Sequence, residues 1–226
     1  MYELYIGNKN YSSWSLRPWV LMREAGIGFK EQLIPFGHPS WRHFRTMCPS
    51  GRVPCLFDGE ATVWDSLAIV EYLAERHAGV WPQDPRARAW ARSAAAEMHS
   101  GFAELRNRCS MSCGVRIRLK EAPEALQRDL ARLEALWNDG LARFGGAFLA
   151  ANTFTAVDAF FAPVAFRVQT YGLELGARAA HYAARLLELP SMRAWYADAL
   201  AETFRDEPHE AEILAAGTLL EDLRRR

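Results

Sequence analysis

Gly51-Arg52-Val53-Pro54-Cys55-Leu56-Phe57-Asp58-Gly59-Glu60-Ala61-Thr62-Val63-Trp64-Asp65-Ser66-Leu67 is the stretch on which the fold turns. Val53 to Phe57 reads as a strand, Asp58-Gly59 as a tight turn, and Ala61 to Val63 as the returning strand. Asp65-Ser66 then caps a helix whose apolar positions Leu67, Val70, Leu73 and Ala74 recur at helical spacing. Pro54 at the head of a strand has no N–H for a ladder, which confines it to an edge or a special turn.

Upstream, Leu4-Tyr5-Ile6 is a short strand closed by Gly7-Asn8. Ser15 is the expected cap of a helix through Leu16, Trp19, Val20 and Arg23, with Pro18 in its first turn and Gly26 as its stop. Phe29 to Pro35 gives a second strand and Pro39 to Met47 a short helix. The order over residues 1–80 is therefore β-α-β-α-β-β-α. Downstream of a linker, Pro82-Gln83-Asp84-Pro85, no strand is expected. Arg86 to Arg108 is rich in Ala, Glu and Arg, and Glu121 to Phe144 carries an apolar stripe of Leu126, Leu130, Leu133, Leu136, Trp137 and Leu141. Thr155 and Asp158 form a capping box, with Phe154 and Ala159 at the staple positions. Pro190-Ser191 opens a helix through Trp195 and Leu200, and the tail from Glu210 has room for one more. Residues 86–226 thus read as all-helical.

Composition excludes several classes. Apolar residues are 50% and charged residues 24% of the 226, ordinary for a globular chain. The longest apolar run, Ala159 to Phe166, is broken by Pro163 and falls far short of the ~20 residues that span a membrane. Met1-Tyr2-Glu3-Leu4-Tyr5 lacks the basic and apolar regions of a secretory leader, so the expected compartment is the cytoplasm. Twenty-seven basic residues balance 27 acidic ones, which gives no electrostatic case for nucleic acid or anionic membrane. Only Lys9, Lys30 and Lys120 are lysines; the rest of the basic set is arginine. Cys48, Cys55, Cys109 and Cys113 form no C-x-x-C pair, so reduced thiols are expected and no metal site.

Three joints between strands and helices carry chemistry. Tyr11-Ser12-Ser13-Trp14-Ser15 gathers hydroxyls at a helix N-terminus, where backbone N–H groups favour an anion such as a carboxylate, phosphate or thiolate. Simple capping explains the serines equally well. At Val53-Pro54, a cis bond would leave the Val53 peptide groups free to grip a peptide-like ligand by strand addition. At Asp65-Ser66, the hydroxyl and first N–H groups suit a carboxylate and Asp65 an ammonium, together an α-amino acid terminus. A capping pair is again the plain alternative.

In this order the three joints and the capping box resemble a glutathione transferase over essentially the whole chain, closest to its zeta, theta and delta types. Ser12-Ser13-Trp14-Ser15-Leu16-Arg17 is similar to the zeta motif S-S-C-S-x-R, with Trp14 in place of Cys. The resemblance implies a thioredoxin-like domain over 1–80 that binds glutathione and an all-helical domain over 86–226 that forms the electrophile pocket. It implies Ser12 or Ser13 as the thiol-activating hydroxyl: Ser12 by zeta alignment, Ser13 by distance to Arg17. Val53 and Pro54 would hold the cysteinyl backbone, Asp65 and Ser66 the γ-glutamyl end, and Arg52 the glycine carboxylate. Tyr11, Trp14, Met98, Phe102, Arg106 and Met111 are pocket candidates; Arg108 is a further possible acceptor of acid. A cytoplasmic, detoxifying homodimer is implied by the resemblance alone. The expected reaction is attack of the glutathione thiolate on a small electrophile. A zeta-like maleylacetoacetate isomerase and a non-catalytic scaffold are the alternatives. A thiol oxidoreductase would need a nucleophilic Cys at the first helix, and none stands there.

Overall fold

The computed structural model describes residues 1–224. Its sheet contains β1 (Tyr2–Ile6), β2 (Phe29–Leu33), β3 (Cys55–Asp58) and β4 (Ala61–Val63) in the order β2-β1-β3-β4. β1 runs parallel to β2 and antiparallel to β3, and β3 antiparallel to β4. Strand periodicity divides its residues between two faces. Leu4, Ile6 and Leu56 join the main core with α1 (Ser13–Glu24) and α3 (Ser66–Ala74). Tyr5, Cys55 and Phe57 point the other way, onto Phe44 of α2 (Ser40–Met47). The expected βαβαββα order is thus present.

The first helix starts earlier than the sequence indicates. Ser12 is its N-cap and Ser15 lies inside, because the Ser15 N–H donates back to Ser12 Oγ at 3.4 Å. Pro18 consequently falls beyond the first turn. Having no N–H, it leaves the Trp14 carbonyl without its helical donor.

The rest of the chain supplies α4 (Pro85–Ser100), α5 (Ala103–Arg108), α6 (Glu124–Phe144), α7 (Ala156–Tyr171), α8 (Ala177–Glu188), α9 (Pro190–Ala201) and α10 (Glu207–Ala216). Two expectations need correction. The segment Arg86–Arg108 is two helices: a Cβ at Gly101 would stand 2.8 Å from the Glu97 carbonyl, and Phe102 follows with a left-handed φ of 56°. Nor is the region wholly helical, since β5 (Val115–Leu119) pairs antiparallel with β6 (Gly217–Asp222). Val115 and Ile117 face the core while Arg116 and Arg118 face outward, the two-residue alternation of a half-buried strand.

α7 is the central pillar. Fourteen of its residues are buried, between α1 on one side and α4 and α8 on the other. Its capping box closes as expected. The Asp158 carboxylate accepts the Thr155 N–H at 2.9 Å, the Leu149 N–H at 3.0 Å and the Tyr182 hydroxyl at 2.8 Å. Burial pushes Asp158 up to about 6, against the pull of these donors. All four cysteines are buried and free, and among the described residues no helix is long and apolar enough to cross a membrane.

Asp158→Ala would strand four buried donors, the Thr155 hydroxyl at 3.2 Å being the fourth, each worth roughly 1–3 kcal/mol when unpaired. The expected loss is roughly 3–5 kcal/mol, seen as a fall of about 10 °C in melting temperature. A change under about 2 °C would contradict the role given to this carboxylate.

Candidate functional site

The loop from β1 to α1 is fixed before any ligand arrives. Lys9 is 4% exposed, yet its ammonium meets Glu31 at 2.8 Å and Asp198 of α9 at 2.7 Å. It also lies over the Trp19 and Trp195 rings, 5.0 and 5.4 Å from their centroids. The Glu202 carboxylate accepts the Lys9 N–H at 2.6 Å and the Asn10 N–H at 3.2 Å; burial nonetheless holds its carboxyl above the usual range. Tyr11 donates its hydroxyl to Glu210, while its ring stacks on His209 of α10.

This anchored loop delivers Ser12 and Ser13 to the open end of α1. They differ in commitment. Ser12 is 5% exposed and gives its hydrogen to Ser15 Oγ at 2.7 Å, while Ser15 Oγ also accepts the Gly7 N–H. Ser13, the first helical residue, is half-buried and spends its backbone N–H on the Tyr11 carbonyl. Its hydroxyl has no partner among the described residues. Both serines line a cavity of about 770 Å³ that also touches Phe36, Trp41 and Met111.

A second cavity, of about 430 Å³, adjoins the first and is walled by Pro54, Asp65 and His99. Trp14, Arg52, Val53 and Arg106 line both, so the two form one cleft with Trp14 at its waist. The Val53–Pro54 and Trp64–Asp65 peptide bonds are cis. The ladder of β3 begins at Cys55, and among the described residues the Val53 N–H and carbonyl have no partner. Asp65 caps α3 through the Leu67 N–H at 2.9 Å and holds His99 Nε2 at 3.3 Å. Burial lowers the His99 imidazole, with Arg17 and Arg106 adding to the effect and Asp65 opposing it.

The remaining candidates divide. Tyr11, Trp14, Arg52, Arg106 and Met111 stand on the cleft wall. Phe102 and Met98 are core residues, 6% and 1% exposed, and touch neither cavity; the backbone break at Gly101 turns Phe102 inward. Ser66 is buried at the start of α3 behind the wall, its hydroxyl without a partner. Such an orphaned hydroxyl beside Asp65 fits an acceptor arriving at the helix end. Arg108 points to solvent and pairs with Glu104 and Glu121.

Two arginines were missed by the sequence reading. Arg17 is buried on α1, its guanidinium carbon 4.1 Å from the Trp14 ring centroid and 4.9 Å from that of Phe160. Arg167 of α7 is 5% exposed and lines the larger cavity. Arg106, 4.2 Å from the Trp14 centroid, and Arg167 make a basic wall of the larger cavity, with Arg17 buried against Trp14. A signal for Arg167 existed: it is the one charge in a long apolar stretch following Asp158, and a charge on a buried helix face marks a site or a partner.

Comparison with known proteins identifies the family and the fold. Residues 11–76 match the model of the glutathione S-transferase N-terminal domain, and residues 117–198 that of the C-terminal domain. A stretch of 61 residues is 38% identical to dichloromethane dehalogenase of Methylophilus leisingeri; the match spans 25% of this chain and 22% of that relative's length. The fold is similar to that of a glutathione transferase homolog from Burkholderia GL BGR1 with bound glutathione, at TM-score 0.66 and 23% identity over 88% of this chain and 97% of that one. It is also similar to the theta class glutathione S-transferase of Xanthomonas axonopodis pv. citri with glutathione bound, at TM-score 0.63 and 24% identity over 86% and 96%. With both family models matched in order along the chain, it belongs to the glutathione S-transferase family.

Proposed function

We propose that the chain is a glutathione transferase of the serine type, in which the cleft binds glutathione, lowers the pKa of its thiol and presents the thiolate to a small electrophile. One observation carries this reading: the open end of α1, the unpaired Val53 peptide and the Asp65 cap of α3 converge on a single cleft. Residues 1–80 then act as the glutathione-binding domain and residues 86–226 supply the electrophile wall.

In this reading the cysteinyl backbone pairs with Val53 by strand addition. The γ-glutamyl ammonium meets Asp65, and its carboxylate meets the α3 N-terminus at Ser66. Arg52 lies within the cleft for the glycine carboxylate. The sulfur falls at the α1 N-terminus. Ser13 is the better donor to it, because Ser12 must first surrender its bond to Ser15 and with it part of the helix cap. Moving a thiol from ~8.5 to ~6.5 requires about 2.7 kcal/mol. A charge-assisted hydrogen bond supplies about 1.5–3 and a helix terminus about 0.3–1, so these parts suffice. Attack then forms the S–C bond as the electrophile's leaving group departs, with no covalent intermediate on the protein. Holding both reactants in one cleft removes the entropic cost of their encounter.

Glutathione is expected to bind, and its thiolate absorbance is expected to titrate below the free thiol; an unshifted titration leaves a binding module without turnover. Ser13→Ala should lower kcat about 10–100-fold, the loss of one such donor, and raise the bound thiol's pKa. Ser12→Ala should chiefly cost about 1 kcal/mol of stability through the cap. Full turnover in Ser13→Ala with loss in Ser12→Ala would transfer the donor role to Ser12. Light scattering should give twice the 25.6 kDa chain mass, and a monomer would contradict the homodimer implied by the family.

A further inference from the structure

Resting on the transferase reading, we propose that the electrophile is itself an anion: a small molecule bearing a carboxylate or sulfonate that seats between Arg106 and Arg167 on the helical wall of the cleft.

The observation is an uncompensated cluster of positive charge. Arg17, Arg106 and Arg167 make no ion pair among the described residues, although Arg17 and Arg167 are 2% and 5% exposed. Arg17 Nε and Nη1 and Arg167 Nε are buried without any hydrogen-bond partner. Arg106 spends Nη1 on the Met98 and His99 carbonyls, at 3.4 and 3.0 Å. Arg167 spends Nη1 on the Arg106 and Cys109 carbonyls. Nη2 of both has no partner among the described residues. Arg167 thus reaches the Arg106 backbone, the Arg106 charge acts on its guanidinium, and both residues line the larger cavity.

Among the described residues the nearby carboxylates form no ion pair with this cluster and have other partners. Asp65 is the one whose charge reaches Arg17, and it holds His99. On the larger cavity Asp206 holds His209 at 2.5 Å and Glu212 accepts from Ser110 at 3.1 Å. Burial, and then mutual repulsion, holds Arg17 well below its usual range; the same causes bring Arg167 down to about 10. Buried charge without a counterion is costly, and an incoming anion removes that cost. A planar carboxylate also matches the forked donors of a guanidinium.

The anion could belong to glutathione rather than to the electrophile. Placement favours the electrophile. Asp65 and Pro54, assigned to the tripeptide, wall the smaller cavity only; Arg167 and Met111 wall the larger only. Trp14, stacked under both Arg17 and Arg106, separates the two ends. An electrophile anchored by its anionic group beyond Trp14 would place its reactive carbon at the waist, where the sulfur lies.

The test uses two matched electrophiles, 4-chloro-3-nitrobenzoate and 4-chloro-3-nitrobenzamide. In each, the thiolate forms the S–C bond at C4 and chloride leaves with the C–Cl electrons. Rates are normalised to the uncatalysed reaction with glutathione. Glutathione binding is first measured alone by calorimetry on the full chain. The expected result is a normalised kcat/KM about 10-fold or more higher for the benzoate. Arg106→Gln should raise KM for the benzoate about 10-fold more than for the amide while leaving glutathione affinity intact; Arg167→Gln should do the same if its melting curve shows it folded. Inhibition by 3-nitrobenzoate, competitive against the electrophile and not against glutathione, supports the seat independently of either variant. Equal normalised rates for the two electrophiles overturn the proposal. So does a fall in glutathione affinity in Arg106→Gln without loss of discrimination, which assigns the anion to the tripeptide. Absence of glutathione binding by the wild type defeats the transferase reading itself, and the anionic-electrophile proposal with it.

Discussion

A buried lysine between two carboxylates and two indoles holds the site in place. Lys9 lies in the loop after β1, and its partners come from β2, α1 and α9. Its carbonyl accepts the Trp195 indole N–H at 2.8 Å. A charge so deeply buried is tolerated only when its donors are satisfied, which fixes the loop against α9 to within hydrogen-bond tolerance. Ser12, Ser13 and Trp14 follow within five residues. Their position relative to the helical wall is therefore set by the lysine's pairing rather than by the flexibility usual for a loop.

A second constraint works from the opposite side. The Asp158 carboxylate fixes the start of α7 against the Leu149 loop and Tyr182, and α7 carries Phe160 and Arg167 towards the cleft. Phe160 faces the Arg17 guanidinium on α1, so the seam between the two halves is a stack of aromatic faces and cations. Such contacts are favourable when desolvated, but they do not neutralise charge. The seam is thus well packed and electrostatically incomplete, a combination suited to binding an anion and of little benefit to stability alone.

The legible part of the fold was the part with local signals. The strand, turn, strand and cap of residues 53–67 each rest on contacts between near neighbours, and their positions in the structure follow the reading to within two residues. The β5–β6 ribbon was not legible as a pair, because β6 is a run of Thr218-Leu219-Leu220-Glu221 with no alternation and its partner lies about a hundred residues earlier. β5 taken alone did alternate. In the site, Asp65 and Val53 could be placed from motif and turn chemistry. The inward turn of Phe102 could not, because it follows from a steric condition at Gly101 that depends on the preceding helix. The choice between Ser12 and Ser13 likewise depends on the Ser12 hydroxyl being spent on Ser15 Oγ, a contact that only the folded loop reveals.

The outer rim of the cleft limits what can enter. His209 on α10 stacks between Tyr11 and Phe36, at centroid distances of 5.1 and 4.9 Å. Arg224 binds Glu210, the acceptor of the Tyr11 hydroxyl, and pairs with Asp222 at 2.8 Å. The segment from α10 to β6 is thereby tied to the loop that bears the serines, although it lies some two hundred residues away in sequence. The tie runs through aromatic stacking and one buried guanidinium, so the rim is a packed wall rather than a free edge. The same cavity thus carries an aromatic rim at Tyr11, Phe36 and His209 and positive charge at Arg106 and Arg167, which on the proposed reading would meet different parts of the electrophile. Under that proposal, shape and charge act on separate parts of one molecule, so selectivity need not depend on any contact at the reacting carbon.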